Sequence, residues 1–134
     1  MSGKLKKITP TNGSTIKATA DIYPNIDYPV FCLKHLNKDY HINKCTSAEK
    51  VKFIERLYIL SQMSWKDIQL APRHGCGSEK ISRSNIRSGI PNHITPEVDF
   101  YALRFDGKKA FVGYKSGFIF HVVYLDRVFN LYNH

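Results

Sequence analysis

Three strand-like runs near the end of the chain constrain it most: residues 98–105 (VDFYALRF), 109–116 (KAFVGYKS) and 118–125 (FIFHVVYL). Asp106-Gly107 separates the first two and Ser116-Gly117 the last two. Glycine-containing breaks of this length between aromatic and β-branched runs specify tight reversals, so the segment predicts a three-stranded antiparallel meander. Arg104, Lys115 and His121 interrupt its apolar pattern with chargeable groups that a purely structural sheet does not need.

The rest of the chain tells what the meander packs against. A length of 134 residues suits one core, and an apolar fraction of 43% is ample for folding. Residues 1–22 carry Lys4, Lys6, Lys7 and Lys17 with no acid before Asp21, and read as a flexible basic arm ahead of a single α+β domain over residues 23–134. The segment 28–36 predicts a strand after Pro29. Asn37-Lys38-Asp39 reads as a turn and residues 40–45 as a returning strand, giving an early hairpin over 30–45. Thr46 and Glu49 form a capping box that opens a first helix. Val51, Ile54 and Tyr58, with Phe53, Leu57 and Leu60 beside them, supply its apolar stripe, and Ile54, Leu57 and Leu60 are expected to face the sheet. Ser64 and Asp67 cap a short second helix, which Trp65 anchors and Pro72 ends. Residues 72–97 form a long connection of the kind that builds binding surfaces.

Several chemistries are poorly served. Cys32, His35, His41 and Cys45 offer four soft or borderline metal ligands. On a hairpin, however, Cys32 and His35 point to opposite faces, and His41 and Cys45 lie about 13 Å apart. No metal site and no cofactor are expected. Nucleophile elbow, metalloprotease helix, P-loop and dinucleotide fingerprint are all lacking. No run approaches the roughly 18 apolar residues of a membrane span. The basic N-terminus leads into no apolar signal core, so a cytoplasmic location with reduced thiols is expected.

Charge points elsewhere. Twenty Lys and Arg against eleven Asp and Glu leave a formal +9, which draws a polyanion through counterion release. RNA or the ribosome is the first partner this suggests, and an acidic protein the second. Arg104 and Lys115 suit stabilisation of charge on a phosphate, and His121 suits proton transfer. Strict alternation puts His121 on one face with Ile119, Val123 and Leu125, where a structural role is equally open. Arg104 has an ion pair with Asp126 or Glu97 as its alternative. A second basic group, Arg73, His74, Lys80, Arg83 and Arg87, alternates with Gly and Ser and suits phosphate contact or an ordinary solvated loop.

The order of elements resembles that of the RelE/ParE-like toxin superfamily: a strand near 30–35, helices at 47–62 and 65–71, and strands near 99–105, 109–115 and 118–125. Residues 36–45 and 72–97 exceed the compact plan of that superfamily. The resemblance implies an RNA-directed toxin, either a metal-independent endoribonuclease or a ribosome-dependent mRNA interferase, neutralised by an acidic antitoxin. It also implies phosphate-stabilising roles for Arg104 and Lys115 and proton transfer by His121, Tyr132 or His134. The rival readings are a noncatalytic nucleic-acid-binding regulatory or phage protein and a module that binds an acidic protein.

Overall fold

A computed structural model describes residues 26–73 and 75–133; the basic arm over 1–22, His74 and His134 lie outside the described residues. It has mixed α+β content, with two helices and one five-stranded sheet. The strands are β1 (Val30–Cys32), β2 (Ser78–Ile81), β3 (Phe100–Asp106), β4 (Lys109–Ser116) and β5 (Ile119–Asp126), and the helices are α1 (Ser47–Ser61) and α2 (Trp65–Leu70). Strand order across the sheet is β1-β5-β4-β3-β2. The expected meander is therefore the centre of a larger set: β2 extends it antiparallel to β3, and β1 adds a parallel strand beside β5. Gly107 and Gly117 open the two reversals at φ 59° and 63°, the left-handed region where glycine carries no Cβ penalty.

The early hairpin does not form. Residues 40–45 make a 3-10 turn (Ile42–Lys44) instead of a returning strand, because the His41 ring caps it by accepting from the Asn43 N–H at 3.2 Å. Asn37 likewise bends the chain by accepting from the Asp39 N–H at 2.8 Å. Segment 37–40 then lies against the edge of β5 beyond β1. There the Asn37 N–H donates to the Val123 carbonyl at 2.7 Å, and the Leu125 N–H donates to the Tyr40 carbonyl at 2.8 Å.

The capping box opens α1 as expected, with the Glu49 N–H on Thr46 Oγ1 at 3.1 Å and the Thr46 N–H on Glu49 Oε1 at 2.7 Å. Its buried face, however, is Glu49, Phe53 and Leu60, with Leu57 half-buried beside them. Ile54, expected in the core, is 57% exposed, and Val51 and Tyr58 face outward with it. Two residues set that rotation. Glu49 is pinned by Lys109 and Arg127, each at 2.8 Å, and Phe53 meets Phe105 and Phe111 edge to face at 5.7 and 5.4 Å. α1, α2 and their aromatic core cover one face of the sheet. The opposite face is covered by segments rather than helices: Tyr40, the loop 82–98 through Ile86, Ile90, Ile94 and Val98, and the tail through Leu131 and Tyr132.

One irregularity decides which side chains that loop-covered face receives. A bulge between Val112 and Gly113 shifts the β4–β5 register, so that Val112 pairs with Tyr124 and Gly113 with Val122. Phe120, Val122 and Leu125 consequently share the helix side, while His121, Val123 and Tyr124 belong to the loop side. The strict alternation expected over 118–125 is broken at Val123. A Cβ on Gly113 would lie 1.9 Å from the His121 carbonyl oxygen, so only glycine fits there.

Candidate functional site

Where β1, β4 and β5 meet on the loop side, four side chains from distant parts of the chain form one cluster. Tyr114 and His121 are register partners across β4 and β5, and their rings stack at 4.7 Å with 16° between planes. His93, from the loop 82–98, sets Nε2 3.1 Å from the Tyr114 hydroxyl. His35, just after β1, places its ring 4.2 Å from that of His93 and 6.2 Å from that of His121. Cys32 sits beside His121 in the β1–β5 register.

Burial disfavours charge on two of its imidazoles. Burial lowers the His35 pKa from its ordinary value, with the charges of His93 and Lys34 acting in the same direction. Burial also lowers that of His121, reinforced by His35 and His93. The Tyr114 phenol is pushed up, first by burial and then by Cys32. His121 Nδ1 is buried without a hydrogen-bond partner, whereas His93 is exposed and His35 half-buried. The cluster thus offers two reachable imidazoles backed by a stacked pair, Tyr114 buried and His121 half-buried. It is not arranged around a cation: among the described residues, no group of three or more His, Cys, Asp or Glu side chains is placed to hold a metal ion.

The expected sheet constellation is divided. His121 joins the cluster. Arg104 pairs with Ala110 on β3–β4, four residues and about 13 Å along β4 from Tyr114, the partner of His121. Tyr132 is buried within reach of the Arg104 charge, and burial, followed by Glu79 and Asp126, pushes its phenol up to about 12. Lys115 is on the helix side, its ammonium 4.8 Å from the centre of the Trp65 ring. There Lys115, Trp65, Tyr101 and Phe120 help line a cleft of about 560 Å³. His134 lies outside the described residues.

The second basic group holds the loops together. Arg73 pairs with Glu79 at 2.9 Å and Lys80 with Asp99 at 3.4 Å. Arg87 donates to the side chain of Asn133. Arg83 grips the carbonyls of Ile94 and Thr95, both at 2.9 Å, and so fixes the chain next to His93. His74 lies outside the described residues. Cys32, Cys45 and Cys76 are free thiols.

No protein-family model matches this chain. No curated protein and no solved structure matches it either.

Half of the cluster was within reach of sequence reasoning. A two-residue reversal at Gly117-Phe118 makes Tyr114 the partner of His121, a pairing that follows from counting outward from the turn. His35 and His93 carry no comparable signal, because segments without regular structure deliver them.

Proposed function

We propose that the protein is an RNA-directed endoribonuclease of the toxin type that works without a metal at the His35–His93–Tyr114–His121 cluster. The observation that carries this reading is the pair of accessible imidazoles, His35 and His93, 4.2 Å apart with the Tyr114 hydroxyl against one of them. Cleavage at a ribose needs a base and an acid both within reach of one phosphodiester. Neutral His35 takes the proton of the 2′-hydroxyl, and the 2′-oxygen then attacks phosphorus. Protonated His93 gives its proton to the departing 5′-oxygen, leaving a 2′,3′-cyclic phosphate and a 5′-hydroxyl. Tyr114, stacked on His121, holds the His93 ring, and Lys34, close enough to bias His35, supplies positive charge for the phosphoryl oxygens. The formal charge of +9 supports a polyanionic substrate. A cytoplasmic toxin held in check by an acidic antitoxin belongs to the same reading.

The test is to map RNA ends after induced expression, and after incubating purified protein with RNA in EDTA, with and without ribosomes. New 5′-hydroxyl ends are expected, and His93→Ala should lower the rate by about 10²-fold or more. Intact RNA under every condition, with folded wild-type protein, rejects the nuclease. RNA that is retained but uncut would favour a noncatalytic RNA-binding protein.

A further inference from the structure

The two segments that deliver His35 and His93 also frame a second feature. Beyond the cluster, a cleft of about 480 Å³ opens beside the far end of β5, lined among others by Tyr40, Lys44, Arg87, Gly89, Leu125 and Arg127. Lys44, Arg87 and Arg127 bring three positive charges, against one carboxylate, Asp39, in the lining. Each cation has a different degree of freedom. Arg127 spends Nε on Glu49, and Arg87 spends Nη2 on Asn133, so each guanidinium is oriented by one bond while other N–H groups remain. The Lys44 ammonium has no acid within ion-pair distance among the described residues. The Tyr124 hydroxyl holds the Gly89 carbonyl at 2.8 Å, which anchors the floor of the cleft to β5.

The placement relative to the cluster is informative. Segment 35–44 carries His35 at one end and Asp39, Tyr40 and Lys44 at the other; segment 87–93 carries Arg87 to Gly89 at one end and His93 at the other. Both run along β5, on which the bulge leaves His121 and Leu125 opposite Tyr114 and Phe111, three residues or about 10 Å apart on β4. At roughly 3.4 Å of rise per stacked nucleotide, that distance spans about three nucleotides of one strand.

We infer that this cleft is a backbone subsite: it binds a phosphodiester of the same RNA strand, a few nucleotides from the one positioned at the histidine cluster. The inference rests on the proposed RNA reading and gives that reading a direction along the substrate. Oriented guanidiniums suit the paired oxygens of a phosphodiester, and a mobile ammonium completes the charge. Tracking a strand past its reactive phosphate fixes register and adds affinity without sequence preference.

The experiment uses a fluorescent oligoribonucleotide with 2′-O-methyl sugars, which binds but has no 2′-hydroxyl to attack. Its anisotropy is titrated with the full chain at several salt concentrations. Lys44→Ala and Arg87→Ala should each weaken binding by roughly tenfold at low salt and reduce the salt slope by about one unit. Gly89→Asp brings a carboxylate to the lining without a clash, because a Cβ there meets nothing within 4 Å. It should weaken binding at least as much, while Lys108→Ala, on the β3–β4 reversal, should not change it. Thermal unfolding of each variant identifies any loss of fold; Lys44→Ala and Gly89→Asp carry the test if Arg87→Ala unfolds through its lost bond to Asn133.

Binding by folded Lys44→Ala and Gly89→Asp equal to wild type overturns the subsite, whether or not RNA is cleaved. Variant-sensitive binding of the oligonucleotide by a protein that cuts no RNA would retain the subsite and reject the nuclease. Displacement of the oligonucleotide by poly-glutamate at equal charge concentration would also overturn the inference, assigning the cleft to an acidic protein.

Discussion

Single residues decide which chemistry the loop side of the sheet receives. Gly113 is the clearest case: its missing side chain lets the His121 carbonyl close onto β4, and the bulge turns Tyr124 to the side of His121. Gly113→Ala should cost about 1–3 kcal/mol or more through overpacking, seen as a lower midpoint in urea. It should also reduce cleavage by displacing His121; an unchanged midpoint would mean the bulge tolerates a Cβ. Arg83 acts one step away, through the carbonyls of Ile94 and Thr95. Arg83→Ala should lower turnover at saturating RNA more than it weakens binding, as expected for a residue that positions His93. Lost affinity with full turnover would return Arg83 to the role of a phosphate contact. The sequence displayed Tyr114, His121 and the turn that pairs them, but not the bulge, because an extra residue in a run of Val and Tyr leaves no mark in composition.

Among the elements, α1 separates what local signals specify from what they leave open. Thr46 and Glu49 defined its start from sequence, since a capping box is a contact between neighbours. The direction it faces depends on Lys109 and Arg127, some sixty to eighty residues away. With apolar residues on more than half of its circumference, periodicity alone admitted two faces. Leu60→Ala, at a fully buried site, should cost about 2–5 kcal/mol, whereas Ile54→Ala should stay within about 0.5 kcal/mol. Equal losses in denaturant unfolding would refute the observed rotation of the helix. Residues 40–45 show the same division in reverse: they read as a returning strand, but the His41 cap is a local bond that closes a turn there instead.

For the whole molecule, acid should act in two stages. His35 and His121 have folded pKa values below their ordinary 6.5, so the neutral forms favour the folded state. Their contribution is present above that value and lost as pH falls through the lowered ones. Glu49 follows at lower pH. Burial alone would raise its carboxyl, but bonds from Lys109, the Thr46 N–H and Arg127 bring it from 4.5 down to about 2. Its contribution is therefore complete above 4.5 and lost as pH falls towards about 2. Unfolding midpoints measured from neutral to strongly acidic pH should show both declines. His35→Asn should flatten the first and Glu49→Gln the second; a single decline unaffected by either variant would exclude these groups as its origin. The α+β class was legible because charge, strand runs and caps are recorded residue by residue. The parallel partner of β5 was not, since nothing local says that Val30 seeks Ile119.

That parallel pair also has a consequence for how the protein comes into being. Val30 and its partner Ile119 are about ninety residues apart, and the histidine cluster draws on chain from His35 to His121. During synthesis, the first strand must wait while the roughly ninety residues up to β5 are made. The histidine cluster cannot assemble on a nascent chain until β5 has cleared the exit tunnel. Under the proposed nuclease reading, the protein would thus remain inert while tethered to the machine and the message that are producing it.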